Sequence, residues 1–151
     1  MKLNGLGNVK IYQQAASDRT GRSVLFTPGG QGSSNSHLLY YADNDMTGTP
    51  RIEIETVAID ELVDSGEIRA PTLIKVDAQG HGGNALQGAG KTIAQSLPLI
   101  AFSNHSDAEI EAARRVLDPL GYMPEALDGR RIPWSAVDEA LLVPPRFRNP
   151  S

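Results

Sequence analysis

Five polar residues of types that can bind or react with a substrate follow two short apolar runs: Asp77, Gln79, His81, Asn104 and His105. The Asp77 carboxylate could accept a hydrogen bond from a hydroxyl group, hold a metal ion or take up a proton. The His105 imidazole could act as a general base, because imidazole groups titrate near neutral pH. The Gln79 amide can orient a ligand but cannot act as a base. These residue types are suited to proton transfer at a bound hydroxyl group.

The same side chains also have structural interpretations. Asp77 could cap the amides of the loop that follows it, as aspartate often does. His105 and His81 could be solvated loop residues, and so could His37. The residue types and their spacing leave both interpretations open.

A strand–helix–strand pattern should hold the five residues together. Residues 73–76 form an apolar run behind Pro71, residues 84–96 repeat apolar positions at helical spacing, and residues 99–102 form a second apolar run after Pro98. The pattern predicts two parallel strands joined by one helix. Ligands bind beyond the carboxyl ends of such strands, where the five polar residues lie.

Weaker patterns flank this unit. Residues 51–57 alternate cleanly and predict a half-buried antiparallel strand. Ser106 and Glu109 form a capping box that opens a helix ending at Gly121. Further short elements are predicted as follows: strands at 9–16, 23–27, 38–41, 122–127 and 140–143, and a helical turn at 59–63.

Composition limits the class of protein. The 151 residues suit one α/β domain, and a net charge of −4 gives no basic surface for nucleic acid. No apolar run approaches the roughly 20 residues that span a bilayer, so no membrane partner is expected. The absence of cysteine excludes thiolate metal sites and fits a reducing cytoplasm, the compartment we expect. The three histidines show no metal-ligand spacing, so we predict no metal site.

Three ordered segments resemble the FkbM-type S-adenosylmethionine-dependent methyltransferases. They are Ile-Lys-Val-Asp-Ala-Gln-Gly at 74–80, Leu-Gln-Gly-Ala at 86–89 and Pro-Leu-Ile-Ala-Phe at 98–102. Residues 8–21 are similar to the family's third strand, and residues 57–62 to its Thr-Leu-Asp segment. The resemblance covers most of residues 4–121.

The resemblance implies a function and a set of roles. It implies O-methylation of a sugar or natural-product hydroxyl, a small-molecule acceptor, with S-adenosylmethionine as the cofactor. Asp77 and His105 would be catalytic, and Gln79, His81 and Asn104 would bind the substrate. Three residues would lie near the adenine edge of the cofactor: Ala16, Ser17 and Asp18.

The sequence also departs from the family pattern. Gly82 and Ser103 stand where the family often has glutamate, which leaves fewer carboxylates for a metal ion. The family's N-terminal cofactor motif is absent: no strand–Gly-x-Gly–helix pattern precedes residues 8–21, and no acidic ribose partner precedes Asp18.

These departures predict a partial class I methyltransferase (Rossmann-like) sheet with helices on its faces and an antiparallel excursion, lacking the first two strands. Residues 1–145 would form one incomplete domain, and residues 146–151 a tail. Residues 9–16 would then lack the neighbouring strands of the family's sheet and should be mobile or paired with another segment, and the chain would bind its cofactor weakly or not at all. The alternative is a non-catalytic remnant or a partner-dependent subunit.

Two further segments could suggest a phosphate site. Residues 85–92 match a loose P-loop pattern, but their apolar spacing places them inside the predicted helix, where backbone amides are already bonded. Lys91 is therefore expected to be exposed, with no anion at its amine. The Gly- and Ser-rich residues 29–36 are interpreted as a loop, because no helical pattern follows them.

Overall fold

A computed structural model of the protein describes residues 5–27, 37–38, 48 and 50–148. Within these residues the strands form two four-stranded sheets, in the orders β1-β4-β2-β3 and β5-β6-β8-β7. The strands are β1 (Ala15–Ala16), β2 (Gly21–Phe26), β3 (His37–Leu38), β4 (Arg51–Val57), β5 (Leu73–Val76), β6 (Leu99–Ser103), β7 (Met123–Glu125) and β8 (Glu139–Val143). The helices are α1 (Ile59–Asp64), α2 (Gly82–Gln87), α3 (Gly90–Ser96) and α4 (Asp107–Leu117). This mixed α/β architecture agrees with the predicted fold class.

The second sheet contains the predicted parallel pair. Strands β5 and β6 run parallel, with Leu73 opposite Leu99 and Val76 opposite Phe102. Strand β8 pairs antiparallel with β6 on its other side. The prediction of two parallel strands joined by a helical connection is confirmed, and the carboxyl ends of β5 and β6 lie at one edge of the sheet.

The connection between these strands is two helices, so the predicted single helix over residues 84–96 is wrong. Helix α2 ends at Gln87, and α3 begins at Gly90. At the break, a Cβ atom added to Gly88 would lie 1.9 Å from the backbone oxygen of Ser17. The chain therefore passes too close to Ser17 for any side chain at Gly88, and apolar spacing alone does not reveal such a contact.

The first sheet holds the predicted antiparallel excursion, in which all of β2 pairs with Arg51–Thr56 of β4. The predicted strand over residues 9–16 is reduced to β1, which pairs parallel with Thr56 and Val57 of β4. The segment therefore has a strand of the antiparallel excursion as its neighbour. Ile11 is 63% exposed, so the alternating residues before β1 bury no apolar face that would hold them in a sheet.

One face of the second sheet packs into the core. Ile100, Phe102 and Leu142 are almost fully buried there, against Leu86 of α2 and Leu117 of α4. The other face remains partly open, since Leu73 is 59% exposed. None of the helices in the described part of the chain is long and apolar enough to cross a membrane.

Helix α4 begins as predicted, but it ends at Leu117, and a 3-10 turn at Asp118–Leu120 continues the chain to Gly121. The Ser106 hydroxyl accepts a hydrogen bond from the Glu109 amide, and Gly121 closes the following turn with a left-handed φ of 75°. A turn at Gly129 follows β7, as the Asp-Gly pair predicts. A 3-10 helix at Pro145–Phe147 extends into the predicted tail, and Arg148 donates to the sulfur of Met123.

Candidate active site

Asp77 and His105 are in direct contact. Asp77 follows β5, His105 follows β6, and the imidazole Nε2 lies 2.9 Å from the Asp77 Oδ1. The two side chains keep 53% and 27% of their surface exposed, so a ligand can reach them. Parallel pairing of β5 and β6 brings them together, because both residues leave the sheet at the same edge. The result is a carboxylate–imidazole pair open to solvent.

Lys75 and Ser103 complete the polar cluster, although the sequence patterns did not indicate a role for Lys75. The Lys75 amine lies 3.6 Å from Oδ2 of Asp77 and donates to the Ser103 hydroxyl at 2.6 Å. The hydrogen bond from His105 and the charge of Lys75 hold the pKa of the Asp77 carboxyl below its ordinary value. Asp77 therefore stays ionised at neutral pH.

Glu109 holds two backbone segments next to the Asp77–His105 pair. Its side chain is buried, with Oε1 accepting from the Gly82 amide at 2.6 Å and Oε2 from the His105 amide at 2.8 Å. The capping box predicted that the Glu109 carboxylate would accept from the Ser106 amide. Its two oxygens instead accept from the amide of His105, one residue earlier, and from the amide of Gly82 in α2. The packing favours glycine at 82, since a Cβ atom there would lie 2.5 Å from Glu109 Oε1 and 2.6 Å from Val76 Cγ1.

Ser17, Asp18 and His81 form a second polar group. The Ser17 hydroxyl lies 3.1 Å from His81 Nε2 and donates to the Asp18 carboxylate at 2.9 Å. His81 is only 4% exposed, and burial lowers its pKa although the Asp18 charge opposes that effect. Since His81 is on the loop that follows Asp77, this contact ties the segment predicted to meet the cofactor to the loop of the carboxylate–imidazole pair.

A cleft of about 410 Å³ has both Ala16 and Asp77 in its lining. Most of the wall is apolar and comes from β5 and the neighbouring helices, including Ile59, Ile68, Ile74, Leu86 and Ala89. A cleft of this size and polarity is typical of a small-molecule site. The cleft thus joins a residue predicted to lie at the cofactor with a residue predicted to be catalytic.

A protein-family model matches the chain. The model of the methyltransferase FkbM domain matches residues 3–124, which is most of the chain. The chain belongs to the FkbM methyltransferase domain family. No curated protein and no solved structure matches it significantly. The match includes β1, the cleft wall and the Asp77–His105 pair, so these features all lie within the FkbM domain.

The two other residues predicted to bind substrate differ in their surroundings. Gln79 is half-buried and has a left-handed backbone, with φ at 43°. The Asn104 amide donates to the backbone oxygen of Val137 at 3.2 Å. The FkbM domain therefore uses Asn104 to hold the loop that carries His105.

The P-loop-like residues 85–92 of the FkbM domain span the break between α2 and α3, and so do not lie inside one helix as predicted. The amides of Lys91 and Thr92 are nevertheless taken, because both donate to the Asp60 carboxylate, at 3.0 and 2.8 Å. Lys91 is exposed as predicted, but the expectation of no anion at its amine is wrong, since Asp64 lies 2.6 Å away. A carboxylate occupies the position where a phosphate would need free amides.

Two further predictions concern a metal site and the glycine- and serine-rich segment. In that part of the chain, no three His, Cys, Asp or Glu side chains are arranged to hold a metal ion. The glycine- and serine-rich residues 29–36 lie outside the described residues.

Proposed function

We propose that this FkbM domain methylates a hydroxyl group of a sugar or natural product, with S-adenosylmethionine as the methyl donor. The observation that carries the proposal is the Asp77–His105 contact of 2.9 Å, with Asp77 lining the same cleft as Ala16. The family match supports methyl transfer in general, and the site chemistry favours oxygen as the acceptor atom.

His105 is the proposed general base. With the Asp77 carboxylate ionised, the neutral imidazole donates its Nε2 proton to Oδ1, and its Nδ1 lone pair remains for the acceptor proton. The negative carboxylate also stabilises the imidazolium that forms when Nδ1 takes that proton. Asp77 thus orients His105, and its partial exposure lets it also contact a neighbouring hydroxyl group.

The cleft is the proposed site of the adenosyl group. Its apolar wall, from Ala16 to Leu86, suits a purine ring, and Ser17 and Asp18 stand beside Ala16. No strand–Gly-x-Gly–helix pattern precedes residues 8–21, where the family's loop for the methionine end would stand, so we assign the adenosyl part of the cofactor to the residues present. When bound, S-adenosylmethionine supplies an electrophilic methyl group.

The remaining predicted residues position the acceptor and its surroundings. We assign the half-buried Gln79 amide to the acceptor, because it lies on the loop that follows Asp77. Asn104 and His81 act through the loops that they anchor, through Val137 and Ser17 respectively. Holding the hydroxyl group and the base in place contributes much of the rate in a transfer of this kind.

A second candidate is a non-catalytic or partner-dependent subunit. The observation that favours it is the edge strand β5, which has a described neighbour on one side only and leaves Leu73 59% exposed. An open edge of this kind can pair with another chain.

An assay with methyl-labelled S-adenosylmethionine at millimolar concentration and a panel of sugars and hydroxylated natural products tests the first candidate. Labelled product is expected, and His105→Ala and Asp77→Asn should each lower its rate by roughly 10²–10⁴-fold, the range of general-base contributions. Lys91→Ala is the matched control and should retain the rate, because Lys91 pairs with Asp64 away from the cleft. Absence of product from every acceptor would favour the second candidate, and an unchanged rate in His105→Ala would refute the assigned base.

A further inference from the structure

Lys75 occupies a defined position on the open face of the second sheet. Alternation along β5 places Lys75 and Asp77 on one face, and Ser103 of β6 lies on the same face because Lys75 is opposite Ala101. The Lys75 amine donates to the Ser103 hydroxyl at 2.6 Å and lies 3.4 Å from the Val76 backbone oxygen. Two fixed acceptors therefore hold an amine that is otherwise on a flexible chain.

An exposed lysine next to an exposed aspartate usually contributes little, because side-chain entropy and solvent offset the attraction. Here Ser103 is 7% exposed, so its hydroxyl is a fixed anchor and not another mobile surface group. The anchored amine faces Oδ2 of Asp77 at 3.6 Å, while His105 takes Oδ1 at 2.9 Å. Each carboxylate oxygen thus has its own partner.

We propose that Lys75, held by Ser103, is a positioning residue that fixes the Asp77 carboxylate for its contact with His105. This inference rests on the proposed function, in which Asp77 orients the base. With Oδ2 facing Lys75 at 3.6 Å, rotation of the carboxylate away from the imidazole would cost this ion pair. Ser103 is uncharged, so it leaves the charge of Lys75 available to Asp77.

Other charged groups near Asp77 come from three elements. His105 lies after β6, Glu139 of β8 is opposite Ser103 in the sheet, and the buried Glu109 of α4 binds the His105 amide. Lys75 is on the strand that precedes Asp77. Among these groups Lys75 and His105 are those whose contacts stabilise the ionised Asp77.

The test is a titration of the Asp77 carboxyl carbon followed by carbon-13 NMR, in the full chain without cofactor or acceptor. Lys75→Met should raise the pKa of Asp77, with roughly threefold stronger proton binding, because a nearby positive charge is lost. Ser103→Ala should change it in the same direction but less, since Lys75 remains without its anchor. Lys75→Arg should restore the wild-type titration, because it keeps the charge. The matched control is Lys91→Met, which removes an equally exposed lysine from Asp64 and should leave Asp77 unchanged.

An unchanged Asp77 titration in Lys75→Met, or an equal change in Lys91→Met, would overturn the inference. Because the titration requires no turnover, its failure would leave the proposed function to be decided by the methylation assay. Where Lys75→Met does not fold, Lys75→Gln provides the same comparison, because it can bond to Ser103 but carries no charge. In the methylation assay, Lys75→Met should lower the rate and Lys75→Arg should restore part of it.

Discussion

At the scale of single residues, Glu109 connects the two backbone segments that position the site. It lies beneath the surface, 2% exposed, and both carboxylate oxygens accept from backbone amides, one in α2 and one before α4. A carboxylate is suited to this position because it offers two acceptors and no donor. The loop that carries His105 and the helix that follows Asp77 therefore depend on one side chain.

Glu109→Gln should destabilise the protein by about 1–3 kcal/mol, because the new amide nitrogen faces a backbone N–H that has lost its acceptor. Urea denaturation measures the change. The matched control is Glu111→Gln on the same helix, where the exposed carboxylate makes only a long contact with Arg114 at 3.8 Å. That variant should lie within about 0.5 kcal/mol of wild type. Equal losses in the two variants would contradict the role given to Glu109.

The residues differ in how far the sequence could predict them. The proximity of Asp77 and His105 could be predicted from the sequence. Both residues follow strands predicted to be parallel, and the carboxyl ends of such strands lie at one edge of the sheet. The contact of Glu109 with Gly82 depends on the packing of α2 against α4, which no local pattern encodes. The role of Lys75 depends on the register between β5 and β6, since that register places Ser103 within reach of its amine.

At the scale of elements, the break between α2 and α3 decides where β1 can lie. The apolar spacing of residues 84–96 is continuous, so the sequence favours one helix. The break is a tertiary effect: the Gly88 backbone approaches Ser17, and the Gly88 oxygen accepts from the Asp60 amide at 2.8 Å. The Asp60 carboxylate then satisfies the first amides of α3.

Gly88→Ala should cost about 1–3 kcal/mol or displace Ser17, because the new methyl group would overlap a backbone atom that cannot rotate away. Gly90→Ala is the control, since a Cβ atom there meets nothing within 4 Å and alanine favours a helix. Thermal and urea denaturation of both variants measure the difference. A Gly88→Ala protein as stable as Gly90→Ala would show that the close approach to Ser17 is absent in solution.

At the scale of the whole molecule, the cleft is lined by residues from both sheets. Ala16 comes from the first sheet, Asp77 follows a strand of the second, and the Ser17–His81 contact ties the two segments together. The sequence predicted the α/β class and the parallel unit, because those depend on periodicity. It did not predict the division into two sheets, because the pairing of β1 with β4 joins residues about forty positions apart.

The affinity for S-adenosylmethionine follows from the groups present. The resemblance to the family implies a glycine loop for the methionine end and an acidic residue for the ribose hydroxyls, and residues 1–17 show neither a strand–Gly-x-Gly–helix pattern nor an acidic residue. Hydrogen bonds to a charged group contribute about 1.5–3 kcal/mol each. Without the ribose contact the affinity falls at least about tenfold, since 1.4 kcal/mol corresponds to a factor of ten.

Titration of S-adenosylmethionine into the nitrogen-15-labelled 151-residue chain, followed by NMR, tests the proposed site most directly. The expected result is a Kd near millimolar, with amide shifts at Ala16, Ser17 and Asp18 and around Asp77, and none at Lys91. A low-micromolar Kd with shifts in residues 29–36 would show that the cofactor binds elsewhere. Shifts confined to residues 85–92 would equally contradict a cofactor site between Ala16 and Asp77.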